Sequence, residues 1–383
     1  MYFNNEGILE KMKFKKWLAL PLCLCLSTTI VCAADRADVY VNNQKLASDA
    51  YLINDRVYVP LRAVSETMGA SVSWNDAQNS AYITFDEDTL VSSVINNCSE
   101  SVVAIAGNYT PEYISKQALS YNNAYAHGTG VVIKSSGVIL TNYHVVENME
   151  NITVVLGSGE SYSGVVQYAD KLSDLAVVKI NKLGLKPITF AKEADIQTGR
   201  TVIAIGTPLS LGMMNSASKG IISGTHVNIG EHYAFLQSDV SINGGNSGGA
   251  LVNLKGELVG ITTEKFAGIG IEGMSFAIPI GTVNYVLHQF ETNGKVLRPE
   301  IPVTYAESWE AKIGLPTTKG LTVSTSAVPE IQQGDILNAV NGVSVHSITD
   351  YNEALKSTFS ASLTLSLTRG GQPVTVTLSP SLK

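Results

Sequence analysis

Charged residues make up only 15% of this 383-residue chain, against about 25% in an ordinary soluble domain. The 26 basic residues are outnumbered by 33 acidic ones, giving a net charge of -7. That balance excludes a nucleic-acid binder working through a broad basic face. Disorder is excluded too, because 45% of the residues are hydrophobic, enough for packed cores. Low-complexity tracts and clear internal repeats are absent. Cysteine is scarce. The four residues would serve two disulfides, but Cys23, Cys25 and Cys32 fall in one apolar stretch at residues 17–34.

That stretch, WLALPLCLCLSTTIVCAA, follows Lys11, Lys13, Lys15 and Lys16. A positive flank, an apolar run and a small-residue end form a secretory signal pattern. Val31 and Ala33 stand at the -3 and -1 positions of a cleavage after Ala33. The competing reading is an uncleaved membrane anchor, since about 18 apolar residues is the lower limit for a span. Lipid attachment fits less well, because Leu22 and Val31 are bulky just before Cys23 and Cys32. Residues 1–33 are thus expected to export the chain, secreted or held at the cell envelope. Removing them leaves Cys98 alone. A single cysteine cannot form an intramolecular disulfide, so the folded part relies on its cores, with Cys98 as a small buried hydrophobe.

At roughly 150 residues per domain, the length allows two to three domains. Residues 36–87 read as a small α+β module. VYVNNQKL is strand, turn and strand, with Asn42 and Asn43 suited to the turn. A helix at residues 61–68 stops at Gly69, and ASVSWNDAQNSAYITF is a hairpin whose predicted core is Val72, Trp74, Tyr82 and Ile83. From about residue 90 to 290 the pattern is short β-branched strands with Gly and Asn turns, such as ITVVLG, LAVVKI and TVIAIG. Evenly spaced short strands predict a barrel or sandwich. A helix over residues 283–292 leads into Gly294, and residues 297–381 form a further small β-rich unit.

Three motifs carry chemistry. GVILTNYHVV places His144 after an apolar strand, LSDLAVVKI opens a strand with Asp174, and SINGGNSGGALVN surrounds Ser247 with glycines. A serine hydroxyl is a poor nucleophile until an imidazole takes its proton and a buried carboxylate holds the ring in the right tautomer. Glycines beside the serine let backbone N–H groups turn toward a developing oxyanion. The N–H groups of Gly245 and Ser247 are assigned that role. GNSGG also fits the nucleophile elbow of α/β-hydrolases, but that motif needs a helix after the serine and a histidine last in order. Here a strand, ALVNL, follows, and His144 and Asp174 come first.

With these motifs in place, the central segment resembles trypsin-like serine proteases of the HtrA (Deg) family. HGTGVVIKSSGVILTNYHVV, SDLAVVKI, VIAIGTPLSL, FLQSDVSINGGNSGGALVN and FAIPI stand in the family's order over about 190 residues. The resemblance implies a mainly β, chymotrypsin-like double β-barrel with the triad in its cleft. It carries His144 over as general base, Asp174 as its orienter and Ser247 as nucleophile. It implies an endopeptidase for unfolded or exported proteins, independent of ATP and of metals, with no cofactor and no nucleic-acid partner. It also implies a homo-oligomer, a trimer. Residues 36–87 resemble the copper amine oxidase N-terminal-like domain, a stalk or binding module. The segment holds no His and no Cys, so no copper site is implied. A cell-wall ligand and a plain spacer stand as equal readings of it. GLTVSTSAVPEIQQGDILNAVNGVSVHSITDYNEALKS resembles a PDZ domain, which captures peptide carboxy-termini as an added strand. Pro299 and Pro302 remove N–H donors near the expected carboxylate loop, leaving capture and a purely regulatory role both open.

The rival reading of the whole chain is a catalytically weak holdase or surface binding protein that uses the PDZ-like and stalk modules. An intact triad favours catalysis. The chain departs from the family at Gly244, where proline is usual, and at Ser275, where glycine is usual. The specificity pocket is expected from Ser241, Ile242 and Ser275. Ser241, six residues before the nucleophile, stands where an acid would select Lys or Arg. Cleavage after small or medium apolar residues is expected. Mapping cuts in an unfolded substrate checks this, and a majority of cuts after Lys or Arg contradicts it.

Overall fold

The computed structural model describes residues 35–41, 44–117, 125–229, 232–263, 273–356 and 362–382. The leader and the Asn42–Asn43 turn lie outside them. The chain divides into two units, residues 1–86 and 87–383.

In the first unit, strands Asp35–Ala37, Ala50–Ile53 and Arg56–Tyr58 make one antiparallel sheet. The helix Leu61–Thr67 ends before Gly69. A hairpin, Ala70–Asn75 with Ser80–Phe85, follows. The predicted core of this hairpin is corrected by the structure. Trp74, Tyr82 and Ile83 are 54%, 47% and 44% exposed. Alternation along the hairpin does place Val72, Trp74, Ile83 and Phe85 on one face. A two-stranded ribbon beside a seven-residue helix encloses too little space to bury such rings.

The second unit opens with a helix, Glu87–Ser99, where short strands were expected. Its apolar residues at 90, 91, 94, 95 and 98 follow a helical period, and Glu87 and Asp88 complement its positive end. Buried Val94 and Cys98 join it to the barrels.

Six strands then close a barrel, in ring order Val138–Asn142, Leu175–Ile180, Ser161–Asp170, Met149–Val155, Val102–Tyr109 and Tyr125–Lys134. A second antiparallel ring runs Glu257–Thr263, Ala250–Asn253, Thr201–Gly206, Ser216–Val227, Phe235–Ser238 and Ser275–Pro279. The last of these pairs with the first and closes it. Thr189–Phe190 adds outside as a short parallel strand.

Strand alternation builds three cores from these rings. Val132, Ile139 and Val178 fill the first barrel. Val202, Ala204 and Leu251 fill the second. Their neighbours Val131, Leu140, Leu175, Ile203 and Ile205 join a cluster shared by the two. Burial on both faces explains the continuous apolar runs in the sequence.

The helix Ile280–Asn293 packs into that shared cluster and ends at Gly294, whose left-handed backbone (φ 72°) lets its N–H reach the Phe290 carbonyl at 3.0 Å. The C-terminal sheet runs Val303–Ala306, Leu321–Ser326, Ile336–Val340, Leu363–Arg369 and Gln372–Leu378, around a core that includes Leu321, Leu337 and Leu365. Its helix, Ile348–Lys356, docks on the end of the strand Ser216–Val227 and on the residues that follow it. Asp350 pairs with His226 at 3.0 Å, Thr349 donates to Asn228 at 2.9 Å, and Ala234 N donates to Glu353 at 3.0 Å.

Phe290 is fully buried and stacks on Tyr168 of the first barrel, with ring centroids 5.2 Å apart. A Phe290→Ala variant is expected to lose about 3–5 kcal/mol of stability. The denaturant midpoint against wild type measures this.

Candidate active site

The first barrel brings His144 and Asp174 together by strand pairing. Asn142 lies opposite Leu175 in antiparallel register, so the residues just beyond each strand end meet. His144 sits on a one-turn helix, Tyr143–Val146. Asp174 adopts a left-handed backbone (φ 53°) that few side chains other than Asn and Asp tolerate. Its carbonyl accepts from Tyr143 N and from Asn142 Nδ2, each at 3.0 Å. Its carboxylate accepts the His144 backbone N–H at 3.0 Å and faces ring Nδ1 at 2.8 Å. An ionised carboxylate only accepts, so Nδ1 carries the proton. Nε2 is thereby left as an acceptor. That atom is buried and has no hydrogen-bond partner among the described residues.

Ser247 comes from the second barrel, on the loop before strand Ala250–Asn253, and is 2% exposed. Hydrogen bonds brace this loop from within. Asn246 N donates to Asn243 O at 3.0 Å, and Gly248 N donates to Thr262 O at 2.9 Å. The hydroxyl of Thr262 donates to Asn246 O at 2.7 Å. Gly245 (φ 96°) must be glycine twice over, for its backbone and because a Cβ would overlap Thr207 O and the His127 ring. The loop also touches the first barrel, where Thr129 N donates to Ser247 O at 2.9 Å. Gly128 lies between Val145, next to His144, and that same Ser247 carbonyl. A Cβ there would be 2.6 Å from Val145 Cγ1 and 3.3 Å from Ser247 O.

The expected pocket residues are placed less uniformly. Ser241 is exposed, and its carbonyl accepts from the Ser218 hydroxyl at 3.1 Å. Ile242 packs half-buried against the second barrel's core. Ser275 is buried opposite Ser238 and donates its hydroxyl to that residue's carbonyl at 3.0 Å. This hydroxyl is engaged inside the sheet.

Two features of the site escaped the sequence reading. Thr129 is fully buried, and its hydroxyl donates to Gly245 O at 2.7 Å and accepts from Thr207 N at 2.9 Å. It stood in plain sight in the HGTGVV run. The second is an ion pair beneath Asp174. Arg298 grips Asp170 with two bonds of 2.9 and 2.5 Å, and Asp170 also accepts the N–H and hydroxyl of Ser173. The partners are 128 residues apart, so no local pattern announces them. Burial alone would raise the Asp170 carboxyl. The Arg298 hydrogen bonds and charge, with those of Ser173, hold it below its ordinary range instead. Arg298 also bonds the Tyr233 hydroxyl at 3.0 Å. Adjacent His232 is pushed down to about 4, chiefly by burial and then by the charge of Arg298.

A closed double barrel with a carboxylate-held histidine at its seam defines a trypsin-like serine endopeptidase. Comparison with known proteins agrees. The model of the trypsin-like peptidase domain matches residues 128–261, and that of the copper amine oxidase N-terminal domain matches residues 26–83. Serine protease Do-like HtrA of Lactococcus lactis is 30% identical over 319 residues, spanning 72% of this chain and 78% of that protein. Serine endoprotease DegS of Haemophilus influenzae is 39% identical over 221 residues, 56% of this chain and 64% of that protein. Among solved structures, the HtrA-type protease AlgW with a tripeptide superposes with a TM-score of 0.62 at 27% identity, over 76% of this chain and 97% of that one. A serine endoprotease from Yersinia pestis gives 0.58 at 30% identity, with the same coverage. The chain belongs to the HtrA family of serine proteases.

Removing one partner of a buried ion pair typically costs about 3–5 kcal/mol. An Arg298→Met variant is expected to lose stability at the lower end of that range near neutral pH. Because the folded carboxyl of Asp170 is depressed, this contribution is complete above its ordinary value of about 3.9 and fades as pH falls further. Thermal unfolding of both proteins should therefore show a gap that narrows on acidification.

Proposed function

We propose that His144, Asp174 and Ser247 act as the catalytic triad of an exported, ATP-independent endopeptidase for unfolded or exported proteins. The observation that carries this reading is the grip of Asp174 on both the ring and the backbone of His144, with Nε2 held as an acceptor. In this mechanism Nε2 takes the Ser247 proton as the hydroxyl oxygen attacks the peptide carbonyl. Asp174 stabilises the imidazolium without itself becoming protonated. The N–H groups of Gly245 and Ser247 receive the oxyanion, each donor being worth on the order of 100- to 1000-fold in rate. His144 then returns the proton to the leaving amine, and water resolves the acyl-enzyme through the same base. Ser241, Ile242 and Ser275 border the specificity pocket. The absence of an acid at Ser241 supports an apolar preference there.

The C-terminal unit is read as PDZ-like. Its strand Val303–Ala306 lies at the sheet edge, the position where a peptide carboxy-terminus adds as a further strand. Export through residues 1–33, a trimeric homo-oligomer and a cell-wall role for residues 36–87 extend this proposal from the family resemblance. A related protein, the probable periplasmic serine endoprotease DegP-like of Brucella suis, supports an exported setting.

A fluorophosphonate probe tests the enzyme reading. Wild type should be labelled at Ser247, and Ser247→Ala should lose labelling and roughly a millionfold of peptidase activity. Absence of labelling under every activating condition, in protein shown to be folded, would leave a binding protein instead.

A further inference from the structure

We propose that Thr129 is the positioning residue of the oxyanion loop, fixing from the first barrel the amides that the second barrel supplies. This rests on the assignment of Gly245 and Ser247 as the oxyanion donors.

The two donor amides belong to the peptide units joining Gly244 to Gly245 and Asn246 to Ser247. The unit joining Gly244 to Gly245 carries the Gly245 N–H, and its carbonyl accepts from Leu209 N at 2.6 Å. The carbonyl and N–H of a trans peptide point in opposite directions, so the Leu209 contact aims the Gly245 N–H. The next unit joins Gly245 to Asn246. Its carbonyl takes the Thr129 hydroxyl at 2.7 Å, while its N–H is held by Asn243 O at 3.0 Å. The Ser247 N–H belongs to the unit joining Asn246 to Ser247, whose carbonyl takes the Thr262 hydroxyl at 2.7 Å and Gly249 N at 3.0 Å. The unit beyond it is fastened through Ser247 O, which takes Thr129 N at 2.9 Å.

Thr129 holds the peptide units on either side of the one that carries the Ser247 N–H. Its hydroxyl also accepts from Thr207 N at 2.9 Å, bracing the turn that presents Leu209. Its own carbonyl takes the Thr141 hydroxyl at 2.7 Å, three residues before His144. One buried residue thus joins the strand leading to His144 with the peptide units that flank the Ser247 donor. The need is sharpest at Gly245, because glycine at φ 96° has no side chain to restrict its rotation. A hydroxyl is required at position 129, since it must donate to one carbonyl and accept from one amide at once.

The test is a graded series at position 129 in the full chain, read beside Ser247→Ala. Thr129→Ser keeps the hydroxyl, Thr129→Cys keeps a weaker donor, and Thr129→Val keeps the shape with no donor. The expected order of kcat is wild type and Ser, then Cys, then Val, with Val reduced about 10- to 100-fold, as befits a loss confined to the transition state. KM should change little. Affinity for a peptide boronate, which forms a tetrahedral adduct, should fall in parallel with kcat. Binding of an uncleaved peptide, measured in the Ser247→Ala background, should stay level. A merely structural role predicts lower unfolding temperature with kcat and boronate affinity unchanged per folded molecule, and that result overturns the proposal. If Val does not fold, the Ser and Cys variants decide, and Cys matching Ser in kcat overturns it equally. Undiminished activity in Ser247→Ala would instead overturn the underlying site assignment.

Discussion

The chemistry of this protein hangs on the seam between two barrels. His144 and Asp174 belong to one barrel and Ser247 to the other, so neither holds the three candidate residues together. What registers them is a shared apolar cluster that includes Val131, Leu140, Leu175, Ile203 and Ile205, reinforced by the 2.9 Å bond from Thr129 N to Ser247 O. Apolar packing supplies most of the cohesion but is non-directional. The hydrogen bonds at the same seam add the direction that proton transfer demands. The strand Tyr125–Lys134 serves both needs, with Val131 in the shared cluster and Thr129 at the loop.

A second constraint reaches the seam from the far end of the chain. Arg298 lies beyond the helix Ile280–Asn293, yet its guanidinium is bonded beneath the turn that presents Asp174. The same arginine touches Tyr233 on the loop where the C-terminal helix docks. One buried charge pair thus joins the loop on which the C-terminal helix docks to the turn that precedes Asp174. The first barrel is completed by a residue from outside its own sequence span.

The motifs around His144, Asp174 and Ser247 were legible because the features that place these residues are local. An apolar strand delivers His144, a turn-forming aspartate opens the strand that pairs with it, and glycines flank Ser247 where the loop doubles back. The β-branched runs likewise announced short strands of a barrel. The helix Glu87–Ser99 was legible in principle, but its serines and asparagines obscure an apolar stripe that only tertiary packing makes plain. Trp74 and Ile83 misled for the converse reason: alternation marks an apolar face but not whether a second layer covers it. Thr129 and Arg298 act through partners far along the chain, which no window of sequence displays.

The left-handed backbone at Asp174 bears on how such a protein can change its trade. Conformation admits few residues at this position, chiefly glycine, asparagine and aspartate, and of these aspartate alone carries a charge. Exchange to asparagine would keep the turn while depriving the histidine of its orienting carboxylate. The shortest path from a working protease of this architecture to an inert but intact scaffold is then one oxygen replaced by one nitrogen. The fold itself would register almost nothing of the step.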